Sequence, residues 1–153
     1  MAKPARPELI FHSVDEMIAD AARLKLGPYE KAGQWDLAMI LDHLGKAMRV
    51  PQPPEHKPVP WPLSVVARAF IHRLAKRKYY PQFKFPAPKE FQPAAGVPLE
   101  QADAAFCAAA EQIKTFDGPT VSGTPFGTLP REDFLKLHLL HGAHHLSFLS
   151  PQQ

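Results

Sequence analysis

Cysteine is almost missing from this chain: Cys107 is the single one among 153 residues, so no internal disulfide can form and no cysteine zinc site can be built from it alone. Its setting, FCAAAEQI, is an alanine-rich helical pattern in which a small buried hydrophobe is the ordinary role. Long apolar runs are absent too. No stretch approaches the roughly 18 residues that a membrane span requires, which excludes a spanning protein and leaves a soluble one. The opening MAKPARPELIFHSVDEM has no basic segment leading into an apolar stretch and a cleavage site, so no secretory signal is expected and a cytoplasmic location is. Charge of one sign is scarce as well. A formal net charge of +3 falls short of the concentrated positive field of a nucleic-acid binder. Strand-like alternation of useful length is lacking, since the nearest case, KYYPQFKF, is interrupted by proline.

Proline, by contrast, is abundant: 18 residues, concentrated in PQPPEHKPVPWP and PQFKFPAPKEFQP. Such stretches cannot continue a helix or form a central strand, and read as irregular connections around an internal helix. The length suits one domain spanning residues 1–153. Ser13 and Glu16 form a capping-box pattern ahead of a helix over about 13–25, which stops before Gly27-Pro28. Asp36 is placed to cap a second helix carrying Leu37, Ile40, Leu41 and Leu44, ended by Pro51. A third pattern runs over 63–78, a fourth from Pro98 to about Phe116, and a fifth from Pro130 or Arg131 until before Pro151. The expected class is therefore all-α: a four-helix bundle with an extra helix inside a long proline-rich crossover.

The last helix holds four of the eight histidines, in HLLHGAHHLSFL. At 100° per residue, Phe134, His138, His141, His145, Phe148 and Leu149 share one side, with His144 at its edge. A core built only for stability would use leucine there, and several buried imidazoles need partners. His141 and His145, spaced i, i+4, can converge on one ion. His138 and His145 lie about 10.5 Å apart along the axis, so His138 is either the alternative partner of His141 or a neighbouring pocket residue. A third ligand is offered by His43 on the second helix. Three neutral imidazoles suit Zn²⁺ or Ni²⁺ and leave a coordination position open. His12, His56 and His72 have no such company and read as surface residues.

The combination of GQWDLAMILDHLGKAM with a C-terminal HGAHHL resembles the DinB/YfiT-like superfamily of predicted metalloenzymes. The likeness is greatest to a branch of uncharacterised DinB-like domains with FHSVDEM-like openings and a Pro125-Phe126-Gly127 turn before the last helix. The resemblance implies a four-helix bundle with a metal held by His43, His141 and His145. Some relatives transfer or use low-molecular-weight thiols. Ser147 and Phe148 stand where relatives commonly carry Arg or Gln, and Thr124 where many have histidine.

Two functions follow. The first is a metal-dependent enzyme acting on a small molecule, either a thiol-dependent transferase or a hydrolase, with Asp42, Asp36 or His138 supplying a supporting contact or proton relay. The second is a non-catalytic, stress-associated binding module with a vestigial site. Its surface would be the basic run Arg68, Arg73, Lys76, Arg77, Lys78 and Lys84 with its aromatics, which otherwise is a solvated helix side. Arg68, Arg73 and Arg77 are also candidates to dock the carboxylates of an anionic thiol cofactor. No nucleic-acid or membrane partner is expected, and a homodimer is among the assemblies the sequence allows.

Overall fold

The computed structural model describes residues 3–49, 60–81, 89–124 and 127–152. Along the chain these form α1 (Val14–Leu26), β1 (Tyr29–Lys31), α2 (Leu37–Met48), α3 (Leu63–Ala75), a 3-10 turn (Lys89–Phe91), α4 (Leu99–Thr115), β2 (Thr120–Thr124), β3 (Gly127–Pro130), α5 (Arg131–Leu146) and β4 (Leu149–Pro151). The protein is mainly helical. Pro51 as a helix stop, His56 and Lys84 fall outside the described residues, as do Pro125 and Phe126 of the turn before α5.

Side chains set the helix starts. The Ser13 hydroxyl accepts from the Glu16 amide at 3.2 Å, and the Glu16 carboxylate reaches back to the amide of His12, one residue before the cap itself. Asp36 accepts from the Met39 amide at 2.9 Å and opens α2. From there Ile40, Leu41, Leu44 and Met48 line a face that is almost wholly buried. This face packs along α4, close enough that a Cβ built on Gly45 would sit 3.2 Å from the Phe106 amide nitrogen. Ala102 and Ala110 keep the α4 side of that contact thin, and all of it, with Phe106, is buried. On the other flank α1 meets α5, where Met17 fills the space beside Gly142.

Three details depart from the sequence-based expectation. The third helix ends at Ala75 instead of Lys78, because Ile71, Leu74 and Ala75 are its last buried residues and Lys76, Arg77 and Lys78 project into solvent. The last helix stops at Leu146, and Phe148 and Leu149 lie beyond it. Among the described residues four short strands are present where none was expected: β1 pairs antiparallel with β4, and β2 with β3. Strands of three to five residues are too short to show a period, and the β1–β4 pair joins residues more than a hundred positions apart. In the KYYPQFKF stretch, the described residues 78–81 are not strand. Among the described residues, no helix is long and apolar enough to cross a membrane.

Candidate metal centre

The buried side of α2 brings His43 against the last turns of α5, and there three imidazoles meet. His43 Nε2 lies 3.1 Å from His141 Nε2, and His145 Nε2 lies 3.0 Å from the same atom. The α-helical rise accounts for the α5 pair, since residues four apart stand one above the other. Within the described residues, His43, His141 and His145 are the group of potential ligands whose donor atoms all lie within 4.8 Å of one another.

Their chemistry suits a cation better than it suits one another. The Nδ1–H of His43 donates to the Phe91 carbonyl at 2.6 Å. A carbonyl can only accept, so in the neutral ring Nε2 carries the lone pair and faces the cluster. Desolvation lowers the His43 pKa, and burial together with neighbouring imidazoles holds His141 and His145 well below the ordinary value. Three neutral rings cannot satisfy three converging nitrogens by sharing protons, because His141 Nε2 faces two neighbours at once. Tetrahedral zinc with bonds of about 2.0–2.1 Å would separate its nitrogen ligands by about 3.3 Å, close to the spacing found here. The residues fit the ion.

Aromatic rings wall the cluster. Trp35 stacks on His145 with ring centres 5.3 Å apart and planes 15° from parallel, and also lies 5.0 Å from His43. Tyr80 covers His141 at 5.2 Å and His144 at 5.4 Å, and burial raises its hydroxyl pKa to about 12. Tyr80 and His144 also line a cavity of about 90 Å³ with Leu9, Leu140, Ala143 and Lys78. The roles of Trp35 and Tyr80 were not assigned from the sequence. A tryptophan immediately before a capping aspartate was a signal for the first, whereas Tyr80 comes from a connection with no periodicity to place it.

The other candidates stand apart. His138 does not join the three: its ring lies 6.3 Å from that of His141 and edge-on to Phe134 at 4.4 Å. Its Nδ1 is buried without a hydrogen-bond partner, and burial lowers its pKa to about 3. Asp42 binds Lys46 Nζ at 2.7 Å and the Ala94 amide at 2.8 Å, tying α2 to the segment after the 3-10 turn. Asp36 is occupied as a cap. Arg68 and Arg73 are exposed on α3, Arg77 is exposed just beyond its end, and His12 is exposed as expected. His72 is also exposed, yet its Nδ1 meets Asp133 at 2.8 Å.

Fold and site together define a mainly helical protein with a histidine trio able to hold a metal ion. The chain belongs to the DUF1569 family, described as a protein of unknown function, whose sequence profile matches residues 3–152. No curated protein and no solved structure matches it.

Proposed function

We propose that the protein is a metal-dependent enzyme in which His43, His141 and His145 hold one divalent ion, zinc or nickel. Its relationship would be to the DinB-like enzymes, with α1, α2, α4 and α5 as the four-helix bundle. The observation that carries the reading is the convergence of three neutral Nε2 atoms from two helices at about 3 Å. When bound, the metal supplies Lewis acidity that lowers the pKa of a substrate thiol or water. The three imidazoles leave room in its coordination for such a molecule.

The chain's own residues do the remainder. Phe91 fixes the tautomer of His43 through its carbonyl, and Trp35 holds the plane of His145 while excluding water from that side. Tyr80, with its pKa raised to about 12, stays protonated at neutral pH. It does not act as a base there. The substrate class that best fits is a small molecule bearing a thiol, with transfer favoured over hydrolysis by the resemblance of the helix motifs to thiol-using relatives.

Substitution with Co²⁺ tests both halves. The account expects one equivalent retained through gel filtration, lost in His43→Ala, and an intense near-ultraviolet sulfur-to-cobalt band on adding a low-molecular-weight thiol. Failure to retain the ion overturns the metal reading. Retention without a thiol band removes the transferase in favour of a hydrolase, and retention without turnover of any substrate returns the protein to a binding module.

A further inference from the structure

The helix α3 is apolar on two sides. One side is used: Ile71, Leu74 and Ala75 are buried, and the helix packs against α5 and β3. The other is not. Trp61 is 81% exposed, Leu63 60%, Val65 51% and Val66 66%, a concentration of large apolar groups that a lone solvated helix does not keep. The second half of the same segment is cationic. Residues 60–81 contain Arg68, Arg73, Lys76, Arg77 and Lys78 and no aspartate or glutamate, and all five cations are exposed. Two acids approach from elsewhere in the chain: Asp133 of α5 is engaged by His72, and exposed Glu8 accepts from the Tyr79 hydroxyl at 2.6 Å beside Lys78.

We propose that the exposed side of α3, together with the residues that flank it, docks on an anionic lipid surface, with Trp61, Leu63 and Val66 entering the interface and Lys76, Arg77 and Lys78 lying over the headgroups. The sequence-based expectation of no membrane partner rests on the lack of a segment long and apolar enough to cross, and that argument does not reach association with a membrane surface. Charge complementarity sets the sign of the partner. Two copies of this strip paired antiparallel would lay each cationic half on the other's apolar half and leave the cations without an acidic partner, so a second chain is the poorer occupant. Nucleic acid would meet the cations but gains little from leucine and valine, which cannot stack on bases. At 100° per residue, Leu63, Val65 and Val66 spread over about 160° of the helix surface. A rigid protein groove takes a narrow stripe, whereas a fluid acyl boundary accepts such a broad convex patch. Tryptophan and the long cationic side chains are the residues that settle at headgroup level.

The test is co-sedimentation of the full chain with vesicles of phosphatidylcholine, with and without one-third phosphatidylserine. Binding is expected to the anionic vesicles only and to weaken with salt. Lys76→Gln/Lys78→Gln should weaken it by about fivefold per cation removed. Trp61→Ser/Val66→Ser should weaken it by roughly tenfold or more, and both pairs are exposed, so circular dichroism should match the parent protein. The proposal is overturned if the parent ignores phosphatidylserine vesicles at low salt, or if neither variant pair changes binding. It is equally overturned if the apolar pair instead abolishes a dimer seen in sedimentation equilibrium, or if polyglutamate binds where vesicles do not.

Discussion

Burial sets the protonation of the histidines, and through it the response of the protein to acid. His141, His145 and His138 all have pKa values lowered chiefly by desolvation, the last to about 3. A ring whose folded pKa lies below the unfolded value of 6.5 binds its proton less readily when folded. Its stabilising share is complete above 6.5 and is lost as pH falls from there towards the folded value. Urea denaturation of the metal-free protein should therefore show a lower midpoint at pH 5 than at pH 7. Equal midpoints would contradict it. His138 allows a separate prediction, because its buried Nδ1 has no partner. His138→Leu should retain the metal and, by removing an unsatisfied polar atom, stabilise the fold by about 1–3 kcal/mol. Loss of metal in that variant would make His138 part of the ligand set. The trio was legible in the sequence because i, i+4 spacing and imidazoles on a core face are local signals. The Phe91 carbonyl and the covering Tyr80 were not, since backbone acceptors and ring contacts across the fold leave no trace in spacing.

Element packing depends on two close approaches, and they differ in what would have to move. A methyl group at Gly142 would run into the thioether of Met17, a side chain with three rotatable bonds. At Gly45 the obstacle is the backbone of α4, at 3.2 and 3.3 Å from the added carbon. Alanine in mid-helix gains about 1 kcal/mol in propensity over glycine, against an overpacking cost of about 1–3 kcal/mol. Because α4 can yield only by shifting as a unit, Gly45→Ala should be destabilising by about 1 kcal/mol in chemical denaturation. A stabilised variant would show that the α2–α4 contact is looser than described. Helix starts at Ser13 and Asp36 were readable from their capping side chains, which act within three or four residues. The ends of α3 and α5 were not, since apolar contact with other elements decides where each helix stops.

At the scale of the molecule, Arg6 connects segments from both ends of the chain. Its guanidinium spans both oxygens of buried Asp20 at 2.7 and 2.8 Å, and also donates to the carbonyls of Leu146 and Leu149. The Ala32 amide donates to the Phe148 carbonyl beside the β1–β4 pair, so the end of α5 is held from two directions. Arg6→Ala leaves Asp20 with Arg23 as its partner and four acceptor bonds unmade. The expected cost is roughly 2–3 kcal/mol, seen as a lower Tm. No change would mean the network adds nothing. Nothing local to ARPELIF marks Arg6 as structural, because its partners lie 14 to 143 positions away. The same long-range closure presents His141 and His145 to His43, and the account stands or falls on that meeting point. X-ray absorption on protein loaded with one equivalent of Zn²⁺ measures it most directly. Three imidazole nitrogens at about 2.0 Å, with tight binding abolished in His43→Ala, is the predicted result. A zinc ion bound equally well without His43, or held with fewer than three imidazoles, would contradict it.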